Sequence, residues 1–256
     1  MNLKLPQTLR IAILECDTPL PHTRKKFKGY GNVFEFLLRN GAKTMGRPDL
    51  DPTTGLEFTM YQVELEPDKY PDPKDIDAIL ITGSKHDSYA DTPWINKLVD
   101  FTAKILSETT VRVIGVCFGH QIVGRALKAE VGRNPLGWEA AVNDVELSEK
   151  GKEIFGVDKI RLHQMHRDIV FYYPEGVEAL GFSPVCKVQA MYSPKRLITV
   201  QGHPEFNSEI VTEILATRHS TGVFNDEAYA EHMGKVNLPH DGVIVSQAFL
   251  RFLLEK

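Results

Sequence analysis

The amino-acid pattern predicts an α/β protein of three layers: a mostly parallel central sheet, helices on both of its faces, and an antiparallel extension at one side. Three observations carry that prediction. Short apolar runs without alternation, at 10–16, 76–82, 111–116 and 197–201, have the composition of strands buried on both faces. Stretches with apolar residues at helical spacing separate them, most plainly 93–108. Later, 140–147 alternates weakly and short strand candidates follow it, as in an antiparallel section.

At 256 residues and 42% hydrophobic content, the chain can bury one large core, and a single domain over 1–256 is expected. The net charge is −4 and the basic residues are dispersed, which leaves no electrostatic footprint for nucleic acid. The short cluster Arg24-Lys25-Lys26-Phe27-Lys28 reads as a solvated loop. Three widely spaced cysteines, Cys16, Cys117 and Cys186, argue against a disulfide framework and for a reducing compartment, and they show no metal-ligand spacing. No apolar run is long enough to cross a bilayer, and the first ten residues lack a signal-peptide core. A cytoplasmic protein is expected, with the nucleus also open.

In chain order, the strand 10–16 is broken by Asp17-Thr18-Pro19-Leu20-Pro21. Ligands collect at the carboxyl end of such sheets, so the loop 17–28 is expected to line a site. Val33, Phe34, Phe36, Leu37 and Leu38 predict a helix over 32–40, stopped by Gly41. A loop over 42–55 leads to a strand at 58–65. The buried strand 76–82 ends in Thr82-Gly83-Ser84 and is expected beside the strand 111–116. Pro93 opens the helix 93–108, whose Trp94, Ile95, Leu98, Phe101 and Ile105 share a face, so Trp94 reads as core.

The run Val111-Arg112-Val113-Ile114-Gly115-Val116-Cys117-Phe118-Gly119 organises the rest. A strand ends in glycine, cysteine, glycine, and a helical pattern with Ile122, Val123, Ala126 and Leu127 follows. Cys117 therefore sits on a strand-to-helix corner, the thiol counterpart of the Gly-x-Ser-x-Gly elbow. Helix-end N–H groups there favour a thiolate. A cysteine ending a buried strand can equally be an inert small hydrophobe. A second stretch, Leu197 to Glu205, ends in His-Pro-Glu. Residues two apart on a strand face the same way, so His203 and Glu205 can lie side by side with Pro204 stiffening the link. A carboxylate fixes the imidazole tautomer, and the imidazole can then take a thiol proton.

On these residues the sequence resembles the class I (triad-type) glutamine amidotransferases, and more narrowly the free-standing group like the amidotransferase of GMP synthase that also contains γ-glutamyl peptidases. The resemblance runs from about Arg10 to about Ser208. It implies a flavodoxin-like sandwich and a catalytic Cys117, His203 and Glu205. It also implies an oxyanion hole from the N–H groups of Gly83 and Phe118, although Ser84 stands where the family usually has a second glycine. Gly83 could also be an ordinary strand-ending turn. By matched position, Ser84, Gln121, His166 and Asp168 are implied substrate contacts. Gln121 could instead merely cap its helix turn, and 161–168 could be a polar strand with half-exposed histidines. Gly202 replaces a bulkier residue, and the smaller side chain is expected to widen the pocket for a γ-glutamyl peptide.

The turn-rich segment 132–139 follows the elbow helix. Beyond the strands at 177–182 and 187–191, helices are expected at about 208–218, 227–236 and 242–255. A thiol with a His–carboxylate pair and an oxyanion hole is equipped for amide hydrolysis through a thioester. The γ-glutamyl identity of the acyl group rests on the resemblance, and no cofactor is implied. Three readings stay open. One is hydrolysis of glutamine to glutamate and ammonia for a synthetase on a separate chain, since the sequence has no phosphate-binding Gly-x-x-x-x-Gly-Lys-Ser/Thr of its own. Another is a self-sufficient γ-glutamyl peptidase acting on glutathione-like conjugates. The third is a non-catalytic flavodoxin-like stress or binding protein.

Overall fold

The computed structural model describes residues 8–256. The first half of the chain forms β1 (Leu9–Leu14), α1 (Pro21–Phe27), α2 (Tyr30–Met45), β2 (Leu56–Tyr61), β3 (Ala78–Ile81), α3 (Pro93–Glu108), β4 (Arg112–Val116) and α4 (Phe118–Ala126). Next come β5 (Val131–Arg133), β6 (Glu139–Leu147), α5 (Glu149–Phe155), β7 (Lys159–His166), β8 (Asp168–Val170), β9 (Glu178–Phe182), β10 (Ala190–Ser193) and β11 (Leu197–Val200). Three helices close the chain: α6 (Ser208–Ser220), α7 (Asp226–Lys235) and α8 (Gly242–Leu253).

A nine-stranded sheet runs in the order β2-β1-β3-β4-β11-β10-β9-β6-β7, and β5 pairs with β8 apart from it. The strands from β2 to β11 are mutually parallel, and β10, β9, β6 and β7 continue the sheet antiparallel. This is the mostly parallel sheet with an antiparallel extension that the apolar runs predict. The strand carrying Thr82 does lie beside the cysteine strand, with Leu80 opposite Ile114.

Alternate residues of the parallel strands serve two cores because successive side chains point to opposite faces. Ile11, Ile13, Ile114 and Val116 pack with Phe34, Leu38 and Phe249 of α2 and α8. Ala12, Leu14, Ile79, Ile81 and Val113 pack with Ile95, Leu98 and Ile122 of α3 and α4. A third cluster, including Ala140, Met165, Phe206, Ile210 and Phe224, seats α6 and α7 against the antiparallel strands.

Several boundaries differ from the sequence pattern, each for a physical reason. Gly41 does not stop α2. It lies inside the helix, where a Cβ would come 2.2 Å from Ser246 Oγ of α8, and the helix ends instead at Gly46 with φ 61°. The glycine is a packing residue at a close helix crossing, and Ser246 Oγ donates to the Leu37 carbonyl at 3.0 Å. Within the loop expected at 17–28, Pro21–Phe27 is helical. The N–H groups of His22 and Thr23 in its first turn are accepted by Glu213 at 2.7 and 2.9 Å, a cap supplied from α6. The helix α5 has no apolar periodicity to announce it; Ser148 caps it through Gly151 N at 3.0 Å and Gly156 ends it. The strand expected over 58–65 is β2, which ends at Tyr61, and the one expected over 187–191 begins at Ala190.

Candidate active site

Cys117 occupies the corner between β4 and α4 with φ 52° and ψ −104°, a left-handed conformation that costs a residue with a side chain free energy. The surrounding backbone holds it there. Cys117 N–H donates to the Val200 carbonyl at 2.9 Å, and Gly119 N–H donates to the Thr82 carbonyl at 3.1 Å. A Cβ on Gly119 would stand 2.2 Å from the Ile81 carbonyl oxygen, so only glycine lets α4 start against the end of β3. The glycine after the cysteine is thus a close-approach requirement, and the cysteine is left projecting at the carboxyl end of the parallel strands.

Beyond β11 the chain turns at 201–205, and His203 and Glu205 meet through that turn rather than along a strand. The strand geometry expected from the two-residue spacing is therefore replaced by a bend around Pro204, with the same juxtaposition as its result. His203 Nδ1 lies 2.7 Å from Glu205 Oε1, and both side chains are buried. Phe206 stacks on the imidazole at 3.9 Å between ring centres and 4° between planes. His203 N–H donates to the His163 carbonyl at 2.7 Å. Cys117 stands beside the ring, its Cβ and His203 Cε1 both facing Gly83, and its charge acts on the imidazole. Since Glu205 engages Nδ1, Nε2 is the nitrogen left for the thiol. Burial opposes charge on His203, but the charges of Glu205 and Cys117 and the hydrogen bond to Glu205 outweigh it and push the imidazole up to about 10.

Gly83 directly follows Thr82 at the end of β3. A Cβ there would come 2.7 Å from His203 Cε1 and 3.7 Å from Cys117 Cβ, so the position must be glycine for the imidazole to stand where it does. Phe118 opens α4, so its N–H is one of those a helix start leaves unpaired. Its ring stacks on Trp94 at 5.6 Å in the core between α3 and α4, where Trp94 was expected. The Ser84 hydroxyl accepts from His86 N–H at 3.1 Å, a contact within its own loop. Lys85 ties that loop to Asp17, N–H to Oδ2 at 2.8 Å and Nζ to Oδ1 at 2.6 Å.

Two spaces open beside the cysteine. A cleft of about 120 Å³ is lined by Cys117, Ser84, Gln121, His166 and Asp168, which brings together all four implied contact residues. A cavity of about 260 Å³ adjoins it, sharing Ser84, Lys85, Met165 and Arg218, and is lined by His203, Gly83, Leu20, Tyr30 and Phe206. Gln121 is held by two donations from Nε2, to the Asp168 carbonyl at 2.7 Å and to Gln201 Oε1 at 3.0 Å. Its own carbonyl oxygen stays available as an acceptor. His166 is buried, with Nε2 3.1 Å from Glu139 and Nδ1 3.2 Å from the Asp168 carbonyl. Asp168 accepts from Arg133 Nε at 2.6 Å; burial raises its carboxyl above the usual range, Arg133 opposes this and Asp87 adds to it.

The other two cysteines are fully buried and unpaired, and burial pushes both thiols well above the ordinary range. No group of three or more His, Cys, Asp or Glu that could hold a metal occurs among the described residues, and no helix there is long and apolar enough to cross a membrane. Gly202 does not widen the pocket. A Cβ on it would meet Gln164 Nε2 at 2.8 Å and Leu162 Cβ at 2.9 Å, so its missing side chain makes room for β7 behind the site. Sequence reasoning passed over Trp138, Arg167 and Arg218, which wall the same cleft. Arg218 looks like an ordinary basic residue in the last turn of a helix, and only the fold brings it to the cysteine.

Comparisons with known proteins bear on the family and the fold. Residues 53–219 match the family model described as glutamine amidotransferase class-I. Among curated proteins, a glutamine amidotransferase-like protein of Schizosaccharomyces pombe is 35% identical over 249 residues, covering 96% of this chain and 98% of its own length. Gamma-glutamyl peptidase 4 of Arabidopsis thaliana is 31% identical over 202 residues, covering 75% of this chain and 74% of its own. Among solved structures, a glutamine amidotransferase of Thermotoga maritima superposes with a TM-score of 0.70 over 96% of this chain and 99% of that one. At 16% identity, it bears on the fold alone.

Proposed function

Because this chain belongs to the class I glutamine amidotransferase family, we propose that it hydrolyses γ-glutamyl amide bonds through a thioester on Cys117. The observation that carries the proposal is the convergence of three side chains: a thiol on a strained corner, an imidazole beside it, and a buried carboxylate 2.7 Å from the imidazole's far nitrogen.

In this mechanism, Cys117 Sγ attacks the γ-carbonyl carbon and the carbonyl oxygen becomes an oxyanion. The N–H groups of Gly83 and Phe118 are its donors, and backbone donors need no reorganisation as the charge develops. The C–N bond then breaks as His203 passes its proton to the departing nitrogen. A water attacks the remaining thioester, with His203 now taking the proton, and glutamate leaves as Cys117 regains its thiol. Glu205 orients His203 and balances its charge. Gln121, with both amide hydrogens engaged, offers its oxygen to a substrate ammonium, and Ser84, His166 and Asp168 complete the wall around the glutamyl group.

With glutamine as substrate the products are glutamate and ammonia, and a synthetase on a separate chain would consume the ammonia. The cavity beside His203 favours a second reading, a γ-glutamyl peptidase that acts without a partner, because ammonia needs no such space. Unpaired cysteines support a reducing, cytoplasmic setting.

The test is a product assay of wild type and Cys117→Ser on glutamine, glutathione and a γ-glutamyl conjugate, scoring glutamate, ammonia and freed amine. Wild type is expected to release glutamate from at least one, and the variant to lose roughly a thousandfold or more. No turnover on any of the three removes the γ-glutamyl reading. Turnover unaffected by the substitution removes the thioester and restores the non-catalytic reading of the elbow.

A further inference from the structure

Two arginines at the cleft lack what arginines inside proteins ordinarily have. Arg167, directly after β7, and Arg218, near the end of α6, are both half-buried. Neither guanidinium has a hydrogen-bond acceptor or carboxylate partner among the described residues, and Arg167 Nε is buried with none. The other half-buried arginines all find one. Arg10, Arg39 and Arg161 pair with Asp77, Glu35 and Asp144, and Arg112, Arg125 and Arg196 donate to backbone carbonyls.

Trp138 holds the unpaired two in place. The Arg218 guanidinium lies 4.4 Å from the centre of its ring and that of Arg167 lies 5.2 Å away, while Phe224 packs edge-on against the indole at 5.2 Å. Two like charges withdrawn from water beside one another are costly without an anion. Burial lowers Arg218 from its usual range, Cys117 counteracts this, and the nearby Arg167 adds to the lowering. Planar guanidinium forks suit carboxylates, and stacking on an indole removes the entropy a free arginine would lose on binding one.

Position decides which carboxylate. His203 delivers its proton to the departing nitrogen, so the leaving amine lies on the His203 side of the cysteine. That side is the cavity of about 260 Å³, whose wall is apolar at Leu20, Tyr30, Phe206 and Ile214 and cationic at Arg218. Its other charged groups are already engaged, Lys85 with Asp17 and Glu205 with His203. We infer that Arg218, backed by Arg167 and aligned by Trp138, is the specificity-determining carboxylate site for the leaving amine. The inference rests on the γ-glutamyl hydrolase reading and adds the residues that recognise the amine.

The test compares γ-glutamyl-leucine with γ-glutamyl-leucinamide, which differ only in the leaving-group carboxylate. Binding is measured by calorimetry on Cys117→Ala protein and kcat/KM on protein with Cys117 intact. The acid is expected to bind roughly 10- to 100-fold more tightly than the amide, and to be cleaved with a similar preference, the range of a charged hydrogen-bond pair. Arg218→Gln is expected to bring that ratio close to one, and Arg218→Lys to keep part of it. Equal binding of acid and amide by protein with Arg218 intact overturns the site. A ratio unchanged in Arg218→Gln overturns the assignment to Arg218. An equal fall for acid and amide assigns the arginine to the glutamyl α-carboxylate and overturns it too. Binding that discriminates acid from amide while the protein with Cys117 cleaves neither upholds the carboxylate site and sinks only the hydrolase reading.

Discussion

Burial alone would keep His203 neutral; the charges of Glu205 and Cys117 reverse this and hold its proton up to about pH 10, against an ordinary value of 6.5. A folded-state value raised above the unfolded one stabilises the fold fully below about pH 6.5, and that contribution is lost as pH rises through about 10. The proton is also the one the leaving amine needs, so kcat/KM is expected to hold into the alkaline range and fall near pH 10. Glu205→Gln keeps a hydrogen-bonding group on Nδ1 but removes its charge. Burial then prevails, and the alkaline limb is expected to move down to neutral pH or below, with the stability loss between pH 6.5 and 10 reduced. A limb that stays near pH 10 in the variant would mean that the charge on Glu205 does not hold the proton. At this scale, cysteine, histidine and glutamate were legible because each stands in a short local pattern. Gly202 was misread because what fills the space beside it, Gln164 and Leu162, comes from a strand some forty positions earlier.

Helices α2 and α8 cross at Gly41 and Ser246, and the absence of a side chain on Gly41 sets their distance. Gly41→Leu is expected to cost about 1–3 kcal/mol by forcing the helices apart, read as a lower Tm with the secondary structure retained. A Tm equal to that of wild type would show that the crossing can open without penalty. Elements with strong apolar periodicity, α3, α8 and the parallel strands, could be read from composition. The boundaries of α2 and the existence of α1 and α5 could not. A mid-helix glycine and a helix stop look alike in sequence, and the cap on α1 comes from Glu213, far along the chain. The same distance hid Arg218, whose helix shows its basic residue only as a favourable charge at a carboxyl end.

One nine-stranded sheet draws on every third of the chain, β4 of the middle third lying between β3 of the first and β11 of the last. We therefore expect one cooperative unfolding transition. Trp94 sits between α3 and α4 and Trp138 near α6 and α7, so Trp138→Phe and Trp94→Phe each leave one reporter packed against a different core cluster. In each variant, the fluorescence midpoint should coincide with the far-ultraviolet midpoint. Separate midpoints would divide the chain into two domains.

What the amino-acid sequence determined by itself was whatever is encoded over a few neighbouring residues: the class of fold, through runs of β-branched residues and helical periodicity, and the strand-to-helix corner at Cys117 and the His-Pro-Glu, through residue types at short spacing. Tertiary structure alone decided the rest: which nitrogen of His203 is left for the thiol, why Gly83 must lack a side chain, where the two spaces beside Cys117 lie, and that Arg167 and Arg218 share one indole. Those properties depend on distances between groups far apart along the chain, and such distances exist only once the sheet has brought β3, β4 and β11 side by side and α6 is seated against the antiparallel strands.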